Sequence, residues 1–172
     1  MTEIAKPGSL FEHHESFKTD ELRLKEIQRE VMIHVERVCS DMDAMGVQLC
    51  IEEANMNALK HGNKWNPEKM LEVVVRLSEP EPGVLNFHYE LQDEGSGFDP
   101  EKVPDCTDDA NLDKASGRGL TLMRGFMKNV EFINDKGTRV RMNQSFTIRA
   151  AIQEAMHAQQ QNGNATPSEH QP

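Results

Sequence analysis

Long apolar runs are absent from this 172-residue chain. Its most hydrophobic stretches, such as Val73-Val74-Val75, fall far short of the roughly 20 residues needed to cross a bilayer as a helix. The first residues also lack the basic-then-apolar pattern of a secretory signal, so the expectation is a cytoplasmic protein without membrane contact. Cysteine is scarce. Cys39, Cys50 and Cys106 are odd in number and show neither a CxxC pair nor Cys/His ligand spacing, which predicts reduced structural thiols and no structural metal. Positive charge is in the minority, with 19 Lys and Arg against 29 Asp and Glu and a formal net charge of -10. That balance argues against direct nucleic-acid binding and permits a basic protein partner, although solubility accounts for it equally well. No Walker loop and no internal repeat is present. His13, His14, His34, His88 and His157 share no ligand spacing and are assigned no role.

What is present suffices for one domain with its own core. Leu10 to Lys18 is a candidate edge strand with Leu10 and Phe17 as its apolar residues. Thr19-Asp20-Glu21 caps a helix whose apolar stripe is Leu24, Ile27, Val31, Val35 and Val38. Asp41 and Asp43 open a second helix, packed through Cys50, Ala54 and Ala58, which Gly62 is expected to end as a left-handed cap. Met70 to Leu77 is a strand, Pro80 to Gly83 a turn, and Leu85, Phe87, Tyr89 and Leu91 alternate along the next strand, placing Asp93 just past its end. Leu120, Met123, Phe126 and Met127 mark a third helix. Val130 to Ile133 and Thr138 to Met142 then flank a loop ending in Gly137, the pattern of a hairpin. These elements predict an α+β two-layer sandwich, with a mixed, mostly antiparallel sheet covered on one face by helices over Thr19–Ser40, Asp43–His61 and Gly119–Lys128. The expected organisation is a tail over residues 1–8, a domain over 9–146, and a polar helix with a poorly ordered tail over 147–172.

Three motifs stand on this frame. The first is Glu52-Glu53-Ala54-Asn55-Met56-Asn57-Ala58-Leu59-Lys60-His61-Gly62, in which Glu53 and Asn57 lie four apart and project from one helix face. That pair can serve a proton and a metal, whereas Glu52 fits a solvated position. The others are Asp93-Glu94-Gly95-Ser96-Gly97 and Gly117-Arg118-Gly119-Leu120. Neither glycine pair belongs to a dinucleotide fingerprint, because Pro100 and Leu122 stand where its third glycine is required. In order and spacing the motifs resemble the GHKL ATPase superfamily, and the resemblance covers roughly Leu10 to Asn143. The wording Glu-Ala-x-x-Asn-Ala-x-x-His-Gly is similar to the bacterial anti-sigma-factor serine kinases, since sensor histidine kinases usually carry Asn where Glu53 stands.

The resemblance implies ATP and Mg2+ as cofactors. Asp93 then accepts a hydrogen bond from the adenine amino group, which guanine does not offer, and Gly95 and Gly97 let backbone approach the nucleotide. Asn57 is the one side chain on magnesium, with phosphate oxygens and water completing the shell. Gly117, Gly119 and Leu120 open a helix N-terminus toward the phosphates, with Arg118 adding charge. Thr138 closes the adenine pocket, and Glu53 is the general base toward the attacking hydroxyl. Pro100 to Ser116, with Asp105, Asp108, Asp109 and Asp113, is the expected ATP lid.

The function so implied is a serine/threonine protein kinase that doubles as an anti-sigma factor. It phosphorylates a small anti-anti-sigma protein, holds a sigma factor through surfaces that include the first helix, and is a homodimer. A nucleotide-gated binder without kinase activity uses the same motifs. A histidine-kinase module, with His34 as a faint phosphoacceptor candidate, fits less well because only one long helix precedes Glu53. Arg23 and Arg29 are both candidates for a basic residue on the first helix, without a secure register for either.

Overall fold

The computed structural model describes residues 9–97 and 118–150. In chain order these form β1 (Ser9–Lys18), α1 (Glu21–Val38), α2 (Asp41–Asn57), a π turn (Ala58–Gly62), β2 (Met70–Glu81), β3 (Val84–Asp93), α3 (Arg118–Phe126), β4 (Asn129–Asn134) and β5 (Thr138–Thr147). The five strands lie in the order β1-β2-β3-β5-β4, and every described pair is antiparallel. This is the expected α+β sandwich, with the anticipated mixed sheet narrowed to an antiparallel one among the described residues.

Alternation decides which face of the sheet is covered. Leu71, Val73, Val75 and Leu77 of β2 pair with Asp93, Leu91, Tyr89 and Phe87 of β3, and these eight residues are buried. All but Asp93 meet Leu24, Ile27, Val31 and Val35 of α1 and Val47, Cys50, Ile51 and Ala54 of α2 in one core. Burying a large aliphatic or aromatic side chain stabilises a fold by about 1.5–3 kcal/mol, so this shared face is what holds the layers together. The opposite face is polar. There Glu90 pairs with Arg141 at 2.8 Å and with Arg139 at 3.3 Å, and Arg76 pairs with Glu12 at 3.0 Å.

Helix starts follow local chemistry. The Asp20 carboxylate accepts the Leu22 and Arg23 N–H groups at the start of α1, and the Ser40 hydroxyl accepts the Asp43 N–H at the start of α2. Inside the core, the Tyr89 hydroxyl donates to Asn55 Oδ1 at 2.6 Å and ties β3 to α2.

One sequence expectation is corrected, and the orientation of β1, which the sequence left open, is set by the structure. Gly62 is not a left-handed cap: positive φ occurs two residues later, at Lys64 and Trp65, and α2 ends instead through the π turn, where the Asn63 N–H donates to the Ala58 carbonyl. Leu10 does not face the core. It is 43% exposed, and Phe11, one residue on, packs inward opposite Leu77, because a one-residue step along a strand reverses the side chain. The expected lid over Pro100–Ser116, Gly117 and all but the start of the C-terminal polar helix lie outside the described residues.

Candidate functional site

The small residues of α2 let that helix lie close to the sheet, and the C-terminal end of β3 emerges beside it. Between them is a cavity of about 80 Å³, open to solvent. Leu91, Met123, Phe132 and Val140 supply its apolar walls, while Asn57, His61, Asp93 and Thr138 bring polar groups to it. Glu53 lies one turn before Asn57 on α2, half-buried like it.

Asp93, the last residue of β3, is 4% exposed. Its Oδ1 accepts the N–H groups of Gly95 at 2.7 Å and Thr138 at 3.1 Å, and among the described residues no hydrogen bond falls on Oδ2. Burial raises the Asp93 carboxyl above the usual carboxylate range, opposed by those two N–H donors and by the charge of Lys69. Three glycines crowd this residue. A Cβ on Gly62 would overlap the Asp93 carboxylate, one on Gly95 would sit 2.8 Å from Oδ1, and one on Gly137 would overlap the Asp93 carbonyl. Gly62 is therefore required for close approach, and the hairpin glycine Gly137, at φ +128°, serves both the turn and the site.

The remaining expected residues fall as follows. Gly97 lines the cavity at φ +91°. Gly119 lies in the first turn of α3, directly against the Glu53 side chain. Leu120 is buried in the core next to it. Arg118 is the first residue of α3, and Gly117 lies outside the described residues. Glu52 accepts from Gln28 and Gln48 on the exposed outer surface, the solvated role its position suggested. The Arg23 guanidinium is committed to Glu15 and Glu26, whereas Arg29 borders the groove between α1 and α2. The His34 ring packs on Phe11, with centroids 4.7 Å apart.

Sequence reasoning missed the apolar walls and Asn63. Leu91, Phe132 and Val140 alternate along strands, and Met123 follows helical spacing, so each has the signature of ordinary core. Asn63 is fully buried at 0% exposure and makes three side-chain hydrogen bonds. The signal available was its place immediately after His61-Gly62.

The residues present suit a nucleotide with magnesium. A buried carboxylate with a free oxygen faces the cavity, glycines crowd its edge, and Asn57 offers a neutral oxygen on the wall. Among the described residues no group of three or more His, Cys, Asp and Glu is placed to hold a metal ion. An ion held by one amide oxygen and the ligand's own phosphates needs no such cluster.

Comparison with known proteins agrees with this geometry. The model of the histidine kinase-like ATPase domain matches residues 17–144. The anti-sigma F factor of Heyndrickxia coagulans is 30% identical over 112 residues, covering 62% of this chain and 73% of that protein. The anti-sigma F factor of Clostridium botulinum strain Eklund 17B is 34% identical over 107 residues, 59% of this chain and 71% of the relative. That of Bacillus cytotoxicus is 31% identical over 111 residues, 62% and 72% respectively.

Proposed function

This chain belongs to the histidine kinase-like ATPase domain family, and from that premise we propose that it is an ATP-dependent serine/threonine protein kinase and anti-sigma factor. In this reading it phosphorylates a small anti-anti-sigma protein and sequesters a sigma factor, exchanging one partner for the other in the cytoplasm as a homodimer. Residues 9–146 form the ATP-binding unit, flanked by segments 1–8 and 147–172. The observation that carries the reading is the buried Asp93 carboxylate lining the same cavity as Asn57, which stands on α2 one turn after Glu53. The similarity to proteins named anti-sigma F factor supports the partner class.

The chain's own residues divide the work. Asp93 Oδ2 accepts from the adenine amino group, while Oδ1 stays bound to the Gly95 and Thr138 N–H groups. Leu91, Met123, Phe132 and Val140 exclude water from the base. Gly95 and Gly97 let backbone approach the nucleotide, and α3, which begins at Arg118 with Gly119 and Leu120 in its first turn and Gly117 before it in sequence, turns its positive end to the phosphates. Asn57 holds magnesium, which when bound supplies charge neutralisation at the phosphates. Glu53 accepts the proton of the attacking serine or threonine hydroxyl. Its carboxylate is held in the gap between α2 and Gly119. Pro100–Ser116 is the proposed nucleotide-dependent lid.

Single-turnover transfer from ATP to an anti-anti-sigma-type protein tests the proposal. Glu53→Ala is expected to keep ATP binding and lower transfer by about 10²–10⁴, and Asn57→Ala to impair both. Absence of transfer in the wild type, with nucleotide-dependent sigma binding intact, makes the chain a nucleotide-gated binder instead.

A further inference from the structure

Two consecutive backbone N–H groups just after β3 are bound by side chains from opposite directions. The Gly95 N–H donates to Asp93 Oδ1 at 2.7 Å, and the Glu94 N–H donates to Asn63 Oδ1 at 2.8 Å. Asn63 is held in turn. Its Nδ2 donates to the Met70 carbonyl at 2.9 Å and to the Thr19 hydroxyl at 2.8 Å, and the Met70 N–H donates to Glu94 Oε2 at 2.8 Å. Asn63, Glu94 and Met70 thus close a ring, with Asn63 at 0% exposure and every polar atom of its amide engaged.

We propose that Asn63 is the positioning residue for adenine selection: it fixes the peptide between Asp93 and Glu94, and through it the direction of the Asp93 carboxylate. The inference rests on the adenine reading above. An aspartate at the end of a strand is free to rotate with the peptide that follows it. Here that peptide's N–H is clamped by a buried amide, while Gly62, the residue before Asn63, presents its Cα and carbonyl to Gly95. The positive-φ residues Lys64 and Trp65 follow directly, at φ 54° and 58°. A bulky residue in that region persists only where the surroundings over-determine it, and the Asn63 network is such a surrounding. Asn63 touches neither the base nor the phosphates in this account; it acts through Asp93.

A positioning role and a merely structural one differ in what they move. Loss of Asn63 leaves the Glu94 N–H unpaired, so the Asp93–Glu94 peptide keeps the Gln92 Nε2 bond to its carbonyl at 2.7 Å but loses the hold on its N–H and turns more readily, weakening ADP and ATP alike. GDP and GTP, which make no use of Asp93 as an acceptor, change little. Thr19→Val cuts the same network at its far side and leaves the Glu94 clamp in place.

The test measures binding of ADP, ATP, GDP and GTP to the full chain, with thermal melting alongside. In the wild type, adenine nucleotides are expected to bind more tightly; no preference there sinks the adenine reading itself. In Asn63→Ala, ADP and ATP affinity is expected to fall about tenfold to a hundredfold, with GDP and GTP within about threefold. Transfer at saturating ATP is expected to stay close to wild type, so the change is in KM rather than kcat. Thr19→Val should lower the melting temperature while keeping the preference for adenine. An unchanged adenine preference in folded Asn63→Ala overturns the proposal. If that variant does not fold, amide exchange in the wild type decides: slow exchange at Glu94 supports the clamp, and exchange at the rate of an open loop refutes it.

Discussion

The Glu53 carboxylate lies against the Cα of Gly119, so closely that a Cβ at position 119 would overlap Oε1 and Cδ. The first turn of α3 therefore depends on the absence of one methyl group to keep the proposed general base where it is. Ala at a helical glycine ordinarily stabilises by about 1 kcal/mol. Here the obstructing atoms are the end of a flexible side chain, which can swing away. Gly119→Ala is thus expected to change the melting temperature little and to lower phosphoryl transfer by up to about a hundredfold, because a displaced catalytic group loses its alignment. Wild-type transfer in this variant would remove Glu53 from the mechanism or show that its position is not critical.

Asp93→Asn separates binding from stability. The substitution replaces an acceptor-only group on the adenine side, and ATP affinity is expected to fall about tenfold to over a hundredfold. Stability should move the other way. Burial raises the Asp93 carboxyl, so its favourable contribution is complete below the unfolded-state carboxylate range and is lost as pH rises through the folded-state value. At neutral pH the apo Asn variant should therefore melt above wild type, with the gap closing as pH falls through the raised folded-state value and gone by about pH 4. Melting curves of the two apo proteins across that range check the sign.

The outward face of α1 carries two large apolar side chains, Leu22 and Ile33, at 71% and 53% exposure. If this helix meets the sigma factor, Leu22→Asp and Ile33→Asp should weaken that complex by at least about tenfold while leaving ATP affinity unchanged. Titration of both ligands against each variant separates the two effects. Unaltered sigma binding would assign the contact to another surface.

Cys39 and Cys50 are buried, and burial pushes their thiols up to about 11 and about 12, reinforced by the nearby charges of Asp43 and Glu53 respectively. At pH 8 both should resist alkylation in the native chain and react once it is unfolded. Mapping the modified residues by mass spectrometry decides this. Rapid native labelling at either position would contradict the burial.

Periodicity alone determined much of this protein. The alternation from Leu85 to Leu91 and the stripe from Leu24 to Val35 state which faces are apolar, and an antiparallel sheet under helices is the simplest way to bury both. Motif order likewise pointed to Glu53, Asn57 and Asp93, because four-residue helical spacing and the end of a strand are local properties. Tertiary structure decided what depends on distance between segments remote in sequence. Gly62 has the spacing of a helix cap, and only the approach of β3 shows that its hydrogen is needed beside the Asp93 carboxylate. Asn63 joins Thr19, Met70 and Glu94, residues 44, 7 and 31 positions away, and no local pattern encodes that junction. Leu10 and Phe11 mark the boundary between the two kinds of information: both are apolar neighbours on an edge strand, and only the pairing register with β2 selects Phe11 for the core.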